Sequence, residues 1–269
     1  MVDDWMLEKT MDKPLVSVII PTFNAGRSVA RCLDSISAQS YKRLEVIIVD
    51  NNSTDDSLHD LAAKRVRVAE WPSKRAGARN RGACLAEGRF LFHVDADMEL
   101  TQRVVEECID CCLGQSADAV IVPEVSSGRS YWARCEGLEK TIAEGVAGHE
   151  AARFYRRSAF DEIGGYDPEL EAGEDFDLQY RAEDHGLKVC RIKSTIVHHL
   201  DDASFSDIVR KSQYYGRTVN KYREKHRDRL SRSPPYLALL AGRWRVLAMD
   251  PPHAVGFFAL VLIKYVAQK

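Results

Sequence analysis

Two Asp-x-Asp tripeptides occur in this 269-residue chain, Asp95-Ala96-Asp97 and Asp175-Phe176-Asp177. Carboxylates at this spacing suit a hard divalent cation, Mg²⁺ or Mn²⁺, which can bridge to the phosphates of a substrate. The pattern alone says little, because a chain of this length holds on the order of one by chance. Context separates the two. The first ends the apolar run 89–94, so its carboxylates project from the end of a strand. The second opens a polar helix whose first residues are Glu174 and Asp175. A carboxylate in a helix's first turn is held ionised by the local dipole, which makes Asp175 a candidate general base. Gly173, just before, lets the backbone turn tightly. His198-His199 closes another strand, and a neutral imidazole suits Mn²⁺. Spacing back to the strand favours His198, and spacing forward to Ser204 favours His199; His198 is preferred.

The elements that carry these residues alternate. Apolar, β-branched runs at 15–20, 44–49, 66–68 and 89–94 read as strands, and 27–39, 57–64 and 75–87 read as helices. This order predicts an α/β fold with a mostly parallel sheet covered by helices on both faces. Ligands bind such sheets beyond the C-terminal ends of the strands. Three polar clusters fall there: Pro21 to Asn24, Asp50 to Asp55, and Asp95 to Asp97. They are distant in sequence and should converge. Further on, helices are expected at 102–113, 131–147, 158–163 and 174–185, and strands at 119–123, 152–156 and 188–198. Trp132 and Arg134 are equally readable as a sugar platform or as structural residues.

These segments together resemble family 2 glycosyltransferases of GT-A fold. The matching text is VSVIIPTFNAG, LEVIIVDNNSTDDS, KRAGARNRG, RFLFHVDADMEL and FDEIGGYDPELEAGEDFDLQYRAEDHG, over roughly residues 14 to 200. The resemblance implies an inverting transfer from a nucleotide sugar. Pro21, Thr22, Asn24 and Asp50 would hold the nucleoside, with Asn52 and Ala96 among the donor contacts. Arg79 would lie near the nucleotide, Asp95 would contact ribose or diphosphate, and Asp97 would bind the metal, with His198 a further ligand. Glu174-Asp175 matches the family's catalytic acidic pair. Gln179-x-Arg181 departs from the Gln-x-x-Arg-Trp of processive members, which points to transfer of a single sugar; Arg181 could still contact phosphate. The domain would span 14–205, nucleotide half about 14–98 and acceptor half about 99–205.

Net charge is only -2, which argues against nucleic acid as a partner. The seven cysteines are odd in number and follow a polar N-terminal segment, so reduced thiols and a cytoplasmic location are expected. The 206–269 region differs from the rest. Between 206 and 245 it holds eleven Lys or Arg and three acids, then an apolar run of ten residues at 254–263, too short to span a bilayer. A basic helix followed by an apolar one suits peripheral contact with an anionic membrane, or an acceptor that is a lipid-linked glycan or a polyprenyl phosphate. Two other functions remain open. Synthesis of nucleotide sugars would need a Gly-rich triphosphate loop that 21–26 lacks, and a non-catalytic nucleotide-sugar binder would not need both Asp97 and Asp175.

Overall fold

A computed structural model describes residues 13–58, 61, 66–146, 148–200, 204–232 and 236–267. The nucleotide half begins with β1 (Val16–Thr22), α1 (Arg27–Ser37), β2 (Leu44–Asp50), a 3₁₀ turn at Asp56–Leu58 and β3 (Arg67–Glu70). It continues with α2 (Arg75–Leu85) and β4 (Phe90–His93). Then follow β5 (Met98–Leu100), α3 (Val104–Gly114), β6 (Ala119–Ile121), β7 (Glu124–Ser127) and α4 (Tyr131–Ala143). Next come β8 (Ala152–Arg156), α5 (Arg157–Glu162), α6 (Glu174–Asp184), β9 (Val189–Arg191) and β10 (Ile196–His199). The chain ends in α7 (Phe205–Lys225), α8 (Arg227–Arg232), α9 (Tyr236–Gly242), α10 (Trp244–Met249) and α11 (Pro251–Ala267).

A seven-stranded sheet runs β3-β2-β1-β4-β8-β6-β9, and only β8 is antiparallel to its neighbours. Successive strand side chains point to opposite faces, and both faces are apolar. Val16, Val18, Ile20, Phe90 and Phe92 pack towards α1 and α3, whereas Ile19 and Leu91 pack towards α2 and α6. Close helix–sheet contact depends on Gly82, where a Cβ would come within 2.3 Å of Ile19 Cγ2. A small second sheet, β5-β10-β7, sits beyond the end of β4.

Several boundaries differ from the sequence reading. Of the helix expected at 57–64, only the 3₁₀ turn and Leu61 fall within the described residues. The third strand is displaced to Arg67–Glu70, and the strand expected at 119–123 continues after a break as β7. The strand expected at 188–198 is two strands in different sheets. The break has a local cause: Glu107 of α3 accepts hydrogen bonds from the backbone N–H groups of Lys193 and Ser194 at 3.1 and 2.9 Å, which turns the chain between them. Reduced thiols are corrected for one pair. Cys111 on α3 and Cys190 on β9 are joined as a disulfide, because α3 lies along the sheet edge where β9 pairs with β6.

Part of the basic excess of 206–245 is paired with acids of the preceding segment. Lys221 pairs with Glu169 at 2.9 Å, Lys225 with Asp167 and Asp177 at 2.6 and 2.7 Å, and Arg229 with Asp184 at 3.0 Å and with Glu183. The segment 167–184 is acidic, so α7 docks on α6 by charge complementarity.

Candidate active site

The register of β1 with β2 sets Thr22 opposite Asp50 at the ends of both strands. Thr22 Oγ1 donates to Asp50 at 2.9 Å, and the Ser53 backbone N–H and hydroxyl donate to the same carboxylate at 2.8 and 2.6 Å. Asn24 accepts from the Thr54 N–H at 2.9 Å, and its own N–H donates to Ser53 Oγ at 2.9 Å. Asn24 and Asn52 sit at φ 48° and 55°, a left-handed conformation that asparagine tolerates better than most residues. The two loops therefore brace one another beside a cleft of about 550 Å³. Pro21, Thr22, Asn24 and Asn51 face that cleft. Asp50 is buried behind them as the brace, and neither it nor Asn52 lines the cleft.

Asp95, Ala96 and Asp97 line the same cleft from the end of β4. Beneath them lies Arg79 of α2, fully buried. Its guanidinium donates to Asp95 and to Asp175, each at 2.6 Å, and to Glu174 at 3.4 Å, and it stacks on the Tyr166 ring at 5.1 Å. Arg153 of β8 reaches the other oxygen of Asp95 at 3.3 Å, and Arg75 pairs with Glu174 at 2.8 Å. Burial alone would raise the Asp95 carboxyl, but Arg79 and Arg153 pull it well below the usual range. Glu174 moves the other way, raised by burial and by the Asp175 charge beside it. Glu174 and Asp175 reach this centre because Gly173, at φ 80°, turns the chain into α6.

Asp97 lies just before β5, and β10 pairs with β5 so that His198 is opposite Met98. This brings His198 Nε2 to 2.9 Å from Asp97, while His199 Nε2 meets Glu99 at 2.7 Å. Burial opposes ionisation of Asp97, yet the hydrogen bond and charge of His198, together with the Lys211 charge, bring the carboxyl below its usual range. One carboxylate and one imidazole form a donor set that suits Mn²⁺ or Mg²⁺. Among the described residues no third acid, His or Cys joins them in a metal-binding group. Remaining positions would therefore fall to phosphate oxygens and water.

The far wall of the cleft comes from α7: Lys211, Tyr214 and Tyr215, one helical face. Tyr215 Oη accepts from Arg75 at 3.3 Å, and Tyr214 donates to Glu171 at 2.6 Å. Lys211 lies near enough to act on the Asp97 charge, and among the described residues it forms no hydrogen bond or close ion pair. Sequence reading took Lys211 only as part of a basic run; its i, i+3, i+4 spacing with the two tyrosines was the available signal.

Asp175 does not line the first cleft. It opens into a second pocket of about 270 Å³, walled by Glu124, Lys140, Arg153 and Phe176. Glu124 accepts from Arg153 at 2.5 Å and from Lys140, and these two cations, working against burial, lower its carboxyl to about 2. Lys140 also stands 3.3 Å from His198 Nδ1, so the second pocket touches the Asp97–His198 pair from behind. Sequence reading missed Glu124, Lys140 and Arg153; the arginines of the 152–156 strand were the one hint. Arg181 is drawn away from both pockets, onto Asp177 at 2.8 Å and the Gly165 carbonyl at 2.7 Å. Trp132 packs with Phe205 at 4.7 Å beside the Cys135–Ile208–Leu260 cluster and lines neither pocket.

The family described as Glycosyl transferase family 2 matches residues 17–164 of this chain. A PGL/p-HBAD biosynthesis glycosyltransferase of Mycobacterium tuberculosis is 27% identical over 197 residues, 70% of this chain and 77% of the relative. The amylovoran biosynthesis glycosyltransferase AmsB of Erwinia amylovora is 28% identical over 207 residues, 68% of each chain. Among solved structures, the mannosyltransferase PcManGT from Pyrobaculum calidifontis, in complex with GDP-Man and Mn²⁺, superposes with a TM-score of 0.63. That likeness is at 17% identity and covers 96% of this chain and 88% of the other. S. aureus TarS 1-349 in complex with UDP-GlcNAc matches with a TM-score of 0.56 at 18% identity, over 76% of this chain and 66% of that one. The chain spans 39% of the chain in another crystal structure of S. aureus TarS.

Proposed function

Because the chain belongs to glycosyl transferase family 2, and is a glycosyltransferase of GT-A fold, we propose that it moves one hexose from a UDP- or GDP-sugar to an acceptor hydroxyl with inversion. The observation that carries this reading is the shared guanidinium of Arg79. It holds Asp95, which faces the first cleft, and Asp175, which faces the second. A donor in the first cleft and an acceptor in the second would meet across that bridge.

The nucleoside rests against Pro21, Thr22, Asn24 and Asn51, and the diphosphate lies between Asp97, His198 and Lys211. Asp97 and His198 would hold Mg²⁺ or Mn²⁺, which when bound would supply Lewis-acid stabilisation of the departing diphosphate. PcManGT, which carries Mn²⁺ with its donor, supports this assignment. Asp175 takes the proton of the acceptor hydroxyl, whose oxygen bonds to the anomeric carbon. The bond from that carbon to the diphosphate breaks, and its electron pair leaves with the nucleoside diphosphate. Attack from the side opposite the leaving group inverts the centre. Arg79 holds the Asp175 carboxylate in place, so the base is aimed before substrate arrives.

The acceptor is a lipid-linked glycan or a polyprenyl phosphate, and the protein is peripheral at the cytoplasmic face of the cell membrane. The catalytic domain, 14–205, and the helices of 206–269 share the work, since α7 walls the donor cleft and α11 carries an apolar face. Purified protein with manganese is expected to turn over at least one UDP- or GDP-sugar. Asp175→Asn should lower kcat by about a hundred- to ten-thousand-fold, as removal of a general base does, and Asp97→Ala should abolish metal-supported turnover. Full activity in either variant removes that residue from its role.

A further inference from the structure

The two pockets differ in how their charges are matched. In the donor cleft, Lys211 faces the space with its ammonium free of any close carboxylate among the described residues. The second pocket has no such group. Its lysine, Lys140, is committed to Glu124 and His198, and its arginine, Arg153, to Glu124 and Asp95. Its other carboxylates are matched from behind, Glu150 by Arg191 at 2.7 and 3.0 Å and Asp175 by Arg79. His149 is held below its ordinary pKa by desolvation and is neutral at pH 7.

A phosphate entering this pocket would meet three carboxylates and find no cation that is not already paired. Desolvating an anion without a counter-charge is costly. A neutral sugar meets no such obstacle. Paired Lys140 and Arg153 keep spare N–H donors, the carboxylates accept from hydroxyls, and Phe176 and Ala143 supply the apolar patches that pockets offer to a ring. A cavity of about 270 Å³, half the volume of the donor cleft, suits one ring rather than a nucleotide.

We propose that this pocket is an acceptor subsite for the terminal uncharged sugar of a glycan, so that the chain glycosylates a sugar hydroxyl and not a prenyl phosphate. The inference rests on the glycosyltransferase reading above and chooses between its two acceptor classes. The wall formed by α4 also fits an amphiphilic acceptor. Lys140 and Ala143 face the pocket, while Ile142 of the same helix packs against Phe257 of α11, beside the apolar helices.

Calorimetric titration of the full chain, loaded with manganese and UDP or GDP, tests this with n-octyl hexopyranosides and a short-chain prenyl phosphate as probes. At least one neutral glycoside should bind and then be glycosylated when the matching nucleotide sugar is supplied. The prenyl phosphate should do neither. Phe176→Ala should weaken glycoside binding about tenfold, the loss of one buried aromatic contact. Binding of the prenyl phosphate alone, or of no glycoside, overturns the proposal. Failure of the wild-type chain to bind either nucleotide would instead remove the glycosyltransferase mechanism on which it rests.

Discussion

Arg79 is the residue on which the acidic centre depends. Asp95, Glu174 and Asp175 would repel one another in a space screened from water, and one buried guanidinium holds all three. Removing one partner of a buried ion pair typically costs about 3–5 kcal/mol, because the remaining charges stay buried. Arg79→Ala should lose stability on that scale in urea unfolding; a loss no larger than that of an exposed arginine would count against the bridge. His93 is the second residue with a measurable signature. Its ring is fully buried among Tyr155, Phe160 and Tyr166, and among the described residues neither nitrogen has a hydrogen-bond partner. Burial, reinforced by Arg79 and Arg153, holds it well below the ordinary histidine value. Unfolded, it would take up a proton as pH falls through about 6.5, so below that pH the unfolded state binds more protons and the fold loses stability. His93→Phe should therefore gain on the wild type as pH drops from about 7 to 5 in thermal melts. A difference that stays flat with pH would show that His93 does not titrate this way.

At the scale of elements, the site depends on how α6 enters. Gly173 sits at φ 80°, and a Cβ there would lie 2.6 Å from the Tyr222 ring of α7. Two effects would follow from Gly173→Ala: backbone strain, and displacement of α7 from the N-terminus of the helix that carries Glu174 and Asp175. Gly186, at the other end of α6, has φ 73° but open space around it. Gly186→Ala should thus cost only the strain of the left-handed conformation, about 1–2 kcal/mol, while Gly173→Ala should cost more and also depress kcat. Equal effects on melting and turnover would mean that the Tyr222 contact is easily relieved.

Over the whole molecule, the C-terminal helices divide in two. Lys221, Lys225 and Arg229 of α7 and α8 pair with acids of 167–184, so this part of the basic run is a docking device. The apolar surface lies further on. Val255, Phe258, Leu262 and Val266 of α11 are exposed along one helical face, with Trp244 and Met249 nearby in sequence, while Phe257 and Leu260 are buried on the opposite side. No helix among the described residues is long and apolar enough to cross a membrane. Such a face, with Arg243 and Arg245 beside Trp244, fits a helix lying in the headgroup region. Cosedimentation with vesicles containing anionic lipid should be strong for the wild type and lost in the Phe258→Glu, Leu262→Glu double variant. Equal partitioning of the two proteins would place the membrane contact elsewhere or exclude it.

The alternating strand and helix runs up to Asp97 were legible in the chain itself, because buried parallel strands are written as continuous β-branched stretches and their ends as polar clusters. So was the convergence of Thr22, Asp95 and Asp97, since a parallel sheet puts all strand C-termini on one edge. Partners were not legible. Nothing local says that Asp50 is consumed by Thr22 and Ser53, that Arg181 binds carbonyls instead of facing a pocket, or that Lys211 leaves its basic run to face Asp97. Those outcomes depend on which side chains meet across elements far apart in sequence, and charge pairing is settled by distance. The division of Asp95-Ala96-Asp97 and Asp175 between two pockets belongs to the tertiary structure alone, because it exists only once Arg79 lies between them.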